Sequence, residues 1–168
     1  MGGDVRADLG DVFRRDYLLV VGVAARVLGS RHEAEDVAQD VFISFGRSSV
    51  PAGEARGWLS VAAAHTALNL LRSGRRRASR EETVAAGASS DVADVAEAVV
   101  TIEERNGVRA ALARLPRTQA VVLVLRHSGL SYADVAAALD LSPTSVGTTV
   151  RRAEAALRKE LTRHAPSD

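Results

Sequence analysis

The stretch GLSYADVAAALDLSPTSVGTTVRRAEAALRKEL, residues 129–161, constrains the fold of this chain more than any other, because its polar punctuation fits two helices joined by a tight turn. Ser131, followed three residues later by Asp134, resembles a capping box, and Val135, Ala136 and Leu139 fall on one face of the helix it opens. Asp140-Leu141-Ser142 is the turn. Ser142 can accept hydrogen bonds from the free amides of the next helix, and Pro143 at its first position lacks an amide hydrogen that would have no partner there. Val146, Val150, Ala153 and Leu157 then share an apolar stripe, leaving Thr144, Ser145, Thr148, Arg151 and Arg152 to face outward. Short polar groups at the start of a helix, with arginines one to two turns later, suit base edges and flanking phosphates in a major groove. The competing reading of this segment alone is an amphipathic hairpin with a solvated basic end.

The rest of the chain reads as helix too. A first helix is expected over about 11–28, with Phe13, Tyr17, Val20, Val21, Ala24 and Leu28 inward and Gly29 as its stop. Ser30 and Glu33 repeat the capping-box pattern. The helix they open carries Val37, Ala38, Val41, Phe42 and Phe45 on one face and Glu33, Asp36, Gln39 and Asp40 on the other. Residues 46–53, with Ser48, Ser49 and Pro51, are a loop. A third helix, about 54–72, is expected to bury Trp58, Val61, Ala62, His65 and Leu68 before running into Arg72, Arg75, Arg76, Arg77 and Arg80. Further on, Val108, Ala111, Leu112 and Leu115 make a short helix starting near Ile102, and Pro116 starts another with Val121, Val122, Val124 and Leu125 inward. Every apolar run is explained by a helix, so the fold class is all-α.

A net charge of +1 over 168 residues would argue against a nucleic-acid partner if the charges were evenly spread. They are not. Residues 1–80 hold twelve arginines against nine acids, residues 81–104 seven acids and no base, and residues 105–168 ten bases against five acids. Two basic flanks on an acidic, Ala/Ser/Gly-rich segment look like two small helical domains, 1–80 and 105–168, joined by a flexible linker at 81–104. With no cysteine, neither a disulfide framework nor a thiolate metal site is available. No apolar run has the length of a membrane span, so a cytoplasmic protein without membrane insertion is expected.

Several segments together resemble the extracytoplasmic-function (ECF, group 4) sigma factors of the sigma-70 family, bacterial subunits that direct RNA polymerase to promoters. HEAEDVAQDVFISF at 32–45 is similar to the segment that docks on the polymerase clamp. GWLSVAAAHTALNLLRSGRRR at 57–77 is similar to the promoter-melting helix, and ALARLPRTQAVVLVLRHSGLSYADVAAALDLSP at 111–143 to the start of the domain that reads the upstream element. The resemblance implies a region 2-like domain and a region 4-like domain with the helix-turn-helix. It assigns Glu33, Asp36, Gln39 and Asp40 to core polymerase, through the clamp of the largest subunit, with the flap of the second subunit as a further contact. It assigns Ser48, Ser49, Arg56, Asn69, Arg72, Arg75, Arg76 and Arg77 to the minus-ten element, where a base is extruded at a cost of a few kcal/mol of stacking that protein contacts offset. It assigns Ser142, Thr144, Ser145, Thr148, Thr149, Arg151 and Arg152 to the minus-thirty-five element. An anti-sigma factor is the implied regulatory partner, and neither cofactor nor metal is expected.

The chain departs from the family pattern at two places. Gly147-Thr148-Thr149 stands where the family commonly has a basic residue, a serine and another basic residue, with Glu154 at a further basic position, and Asn69 stands where aspartate is usual. The alternative function is an autonomous helix-turn-helix regulator, which would bind duplex DNA without polymerase. An enzyme is disfavoured. His32-Glu33 and the polar residues from His65 to Asn69 have helical spacing, but no second histidine, cysteine or glycine-rich phosphate loop completes a site.

Overall fold

Helix α1, Leu9–Leu28, ends as the sequence demands: Gly29 takes a left-handed conformation (φ 69°) and its amide donates to the Ala25 carbonyl at 2.8 Å. In this computed structural model the chain is described over residues 5–80 and 95–165, and side chains are described there except at 75–80 and 95–101. The described residues form seven α-helices and a single 3-10 turn, with no strand among them. Helix α2 spans Arg31–Gly46, capped by the Ser30 hydroxyl, which accepts from the Glu33 amide at 3.2 Å. After the turn at Ala52–Glu54, α3 covers Ala55–Arg80.

These three helices pack around Val20, Val23, Val27, Ala38, Phe45 and Leu59, all fully buried. The inward face of α3 is smaller and turned further round than its periodicity suggests. Leu59, Ala63, Ala64, Ala67 and Leu68 are the deep positions, whereas Trp58, Val61, Ala62 and His65 are only half-buried. Alanine side chains let α3 approach α1 and α2 closely, and the larger residues are displaced to the edges of the seam. Phe13 is corrected in the same way. It lies 41% exposed on the shoulder of α1, in contact with Tyr17 and Phe42 at ring-centre distances of 4.7 and 5.0 Å, while Val12, Val23 and Val27 take the interior. The periodicity also missed Asp16, which is buried and accepts from the Arg15 guanidinium at 2.9 and 3.1 Å; Arg15 in turn reaches the Ala52 carbonyl.

The second group of helices is α4 (Val95–Arg114), α5 (Arg117–His127), α6 (Tyr132–Leu139) and α7 (Pro143–Arg163). Helix α4 starts before the point near Ile102 expected for it. The acidic stretch 81–104 lies outside the described residues up to 94, and from 95 onward it is helix. Ile102 and Val108 remain exposed, and among the described residues the buried apolar side chains at the end of α4 are Ala111, Leu112 and the following Leu115. Both caps predicted for the helix-turn-helix form: the Ser131 hydroxyl accepts from the Asp134 amide at 3.0 Å, and that of Ser142 from the Ser145 amide at 3.1 Å. Asp140 makes the turn in a left-handed conformation, φ 55°, which aspartate tolerates better than most residues.

Helix α5 decides how the two groups meet. Ala120 to Leu125 are six consecutive buried residues, so this helix is apolar on every side rather than on one stripe. It packs against α6 and α7 of its own group and also against α3 and α1 of the first. The apolar core is consequently continuous from Val12 to Ala153.

Candidate nucleic-acid interface

Three surfaces collect the residues singled out in the sequence. On α2, Glu33, Asp36, Gln39 and Asp40 are all exposed, as expected from their helical spacing. Beside them runs a groove of about 700 Å³ between α1 and α2, with Glu35, Asp36 and Gln39 at one wall and Phe13, Phe42 and Ile43 supplying apolar surface. Arg6, Arg14 and His32 also line it, so its edge carries both signs of charge, and its aromatic floor suits a partner that is apolar at its centre.

The loop before α3 and the outer face of α3 form the second surface. Ser49 and Arg56 are exposed. Ser48 is partly committed to structure, since its hydroxyl donates to the Phe45 carbonyl at 2.7 Å and its carbonyl accepts from Arg6 at 3.4 Å. Arg6 is held by Asp8, whose carboxylate it engages with two nitrogens, and its guanidinium lies 4.1 Å over the centre of the Phe45 ring. That hydrogen bond to Arg6 lowers the Asp8 pKa below the ordinary carboxylate value.

Farther along α3, the two polar side chains expected to meet DNA meet the second helix group instead. The Asn69 side-chain oxygen accepts from Arg117 of α5, and Arg117 also contacts His65 Nδ1 at 3.0 Å. Arg72 donates to the carbonyls of Ala113 (3.2 Å) and Leu115 (2.9 Å) at the end of α4. Partial burial, and secondarily the charge of Arg117, hold His65 below the usual imidazole pKa, so its neutral form is favoured. Arg75, Arg76 and Arg77 fall within α3, but their side chains lie outside those described.

The face of α7 expected to read DNA is the third. Thr144, Ser145, Arg151 and Arg152 are exposed, as the sequence suggests. Ser142 is exposed but its hydroxyl serves as the cap. Thr148 and Thr149 are half-buried, and the Thr148 hydroxyl donates to the Thr144 carbonyl at 3.2 Å. Gly147 is buried beside the Tyr132 ring, whose nearest carbon would lie 3.7 Å from a Cβ added there. Tyr132 carries the Arg126 guanidinium 4.3 Å over its ring, and Arg126 also donates to the Leu130 carbonyl. Three residues of consequence were therefore missed by sequence reasoning, namely Arg6, Arg117 and Tyr132. Arg117 follows the helix-starting Pro116, but no periodicity says which element it reaches.

Comparison with known proteins agrees with the two groups of helices. Residues 12–77 match the family model described as Sigma-70 region 2, and residues 105–157 match that of Sigma-70, region 4. The chain is 30% identical over 169 residues to the RNA polymerase sigma factor YlaC of Bacillus subtilis, covering 94% of each protein. It is 28% identical to the ECF RNA polymerase sigma factor SigW of the same organism, over 94% of this chain and 89% of that one. Among solved structures, the sigma factor RpoE from Bartonella quintana, crystallised with the anti-sigma factor NepR, shares the fold with a TM-score of 0.55. The identity there is 20%, over 95% of this chain and all of that one.

Proposed function

We propose a division of labour for this chain from one premise: it belongs to the sigma-70 family of RNA polymerase sigma factors, with a region 2 domain followed by a region 4 domain. Within that family we assign it to the ECF type of group 4, acting in the cytoplasm as a promoter-specificity subunit without catalytic activity of its own. No described helix is long and apolar enough to cross a membrane.

The observation that carries the reading is the order of the three surfaces along the chain, an acidic helix face, then a loop and arginine-bearing helix, then a doubly capped helix-turn-helix. Glu33, Asp36, Gln39 and Asp40 dock on the clamp of core polymerase, where complementary charge raises encounter rate and specificity more than net affinity. Ser49 and Arg56 act at the extruded base of the minus-ten element, joined by Asn69 and Arg72 along α3. Arg75, Arg76 and Arg77 follow the phosphate backbone and bring salt dependence with them. In the upstream element, Thr144, Ser145, Arg151 and Arg152 make the contacts, with Thr148 and Thr149 at their margin and Ser142 holding the helix start. Region 4 also meets the flap of the second polymerase subunit.

An anti-sigma factor regulates the protein. Support comes from the apolar groove between α1 and α2, which would accept the apolar face of a partner helix, and from the anti-sigma partner in the RpoE structure. The test is promoter-directed RNA synthesis by purified core polymerase on a pool of genomic fragments from the host, with and without the protein. Start sites that require the protein are expected, and Asp36→Lys with Asp40→Lys should abolish them by removing polymerase binding in a pull-down. A protein that yields no start site yet shifts duplex DNA alone is an autonomous regulator instead.

A further inference from the structure

Two arginines outside the residues assigned to DNA hold the two ends of the loop between α2 and the turn at Ala52–Glu54. Arg6, just ahead of α1, reaches the Ser48 carbonyl at 3.4 Å and the Ser48 hydroxyl oxygen at 3.5 Å, and Arg15, on α1, donates to the Ala52 carbonyl at 3.0 Å. Each guanidinium is aimed by a carboxylate close to it in sequence. Asp8 accepts from two nitrogens of Arg6 at 2.5 and 2.7 Å, and Asp16 from two nitrogens of Arg15 at 2.9 and 3.1 Å. A planar guanidinium gripped along one edge by a carboxylate points its remaining N–H groups in a fixed direction. Asp16 is only 2% exposed, so the interior of the domain sets the direction of Arg15. Arg6 is fixed by lying over Phe45, whose ring meets that of Trp58 at 5.9 Å.

Between the two anchored carbonyls stand Ser49, Val50 and Pro51. The Val50 amide donates to the Ser48 hydroxyl at 3.4 Å, and the ring of Pro51 fixes its own φ. Ser49 is left exposed on a loop tied at both ends. We propose that Arg6 and Arg15 are positioning residues for base choice: they hold this loop in the shape that accepts the extruded base of the minus-ten element, and so set which base is preferred without touching it. The proposal deepens, and rests on, the assignment of Ser49 and Arg56 to that base. A loop ordered in advance loses no backbone freedom when the right base enters and does not yield to a wrong one. A loosened loop is competent for only part of the time and adapts to other bases, so discrimination falls along with efficiency.

The test uses holoenzyme and a promoter found with genomic fragments, remade with each of the four bases at every minus-ten position. Opening is read from the synthesis of short abortive transcripts. Arg6→Ala removes one clamp. Arg15→Ala alone would leave the Asp16 carboxylate buried without its cation, so it is combined with Asp16→Asn. Both proteins should lose preference for the favoured base at one minus-ten position by roughly tenfold, the order expected for one charged hydrogen bond. Polymerase capture in a pull-down and preference within the minus-thirty-five element should be unchanged, and the Ser49 and Val50 amides of the free protein should exchange faster. Unchanged exchange would overturn the clamps themselves. Faster exchange with base preference intact, or with opening lowered equally for all four bases, would overturn their role in base choice. Ser49→Ala and Arg56→Ala then locate the fault. If these alter the preference and the clamp variants do not, positioning alone fails; if they leave it unaltered as well, the loop does not read the base and the assignment falls with the proposal.

Discussion

Replacing Gly57 with alanine sets two effects of known size against each other. In an unobstructed helix the change is favourable by about 1 kcal/mol, because alanine loses less backbone freedom on folding. Gly22 in α1 provides that reference, with nothing within 4 Å of an added Cβ. At Gly57 the new methyl would stand 2.9 Å from the Ala138 Cβ, about 0.6 Å inside ordinary carbon–carbon contact. The obstacle is a short side chain on a helix, with no flexible end to swing away, so α6 must retreat from α3 as a body. Overpacking of this kind costs about 1–3 kcal/mol. The net for Gly57→Ala is therefore between no gain and a loss of about 2 kcal/mol, against a gain of about 1 kcal/mol for Gly22→Ala. Thermal unfolding separates the two, since 1 kcal/mol moves the midpoint of a chain this size by about 2–4 °C. An equal rise in Tm for both variants would refute the packing of α6 on α3.

Leu125→Ala removes a fully buried side chain from the helix shared by both domains and should cost about 2–5 kcal/mol in urea unfolding; a loss below 1 kcal/mol would mean that α5 is not central. Ser131→Ala and Ser142→Ala each delete one observed cap and should lower stability by about 1 kcal/mol, most visibly in the exchange protection of α6 and α7. Acid should loosen the packing of the two helix groups through His65, which Arg117 of α5 faces. Its pKa is lowered when the domains are docked, so the separated form takes up the proton first. Docking is then fully favoured above about pH 6.5 and weakens as the pH falls through the lowered value. The distance between dyes attached through Arg26→Cys on α1 and Lys159→Cys on α7, compared at pH 8 and pH 5.5, would show this, and an acid-tightened protein, or His65→Leu retaining the full response, would contradict it.

Much of the fold was legible because its elements carry local signals. Gly29, Ser30, Ser131, Ser142 and Pro143 bound helices through groups within four residues of themselves, and α2 shows a plain division between apolar and acidic faces. What failed to show in the sequence depends on distance. The depth of Ala63 and Ala67 against Trp58 is set by how closely other helices approach, which a periodic pattern does not record. Likewise the run from Ala120 to Leu125 announces burial but not the neighbours responsible. The candidate surfaces were readable as residue types at helical spacing. Their occupation by Arg117, by the Leu115 carbonyl and by the Tyr132 ring was not, since each arises from a contact between elements distant in sequence or from the angle at which two helices cross.

The all-round burial of α5 ties the fate of the unattached protein to its closure. When the domains part, the side of α5 that faced α3 and α1 becomes a strip of valine and leucine exposed to water. Chaperones and proteases act on surface of that kind, and its exposure shortens the time a molecule survives alone in a cell.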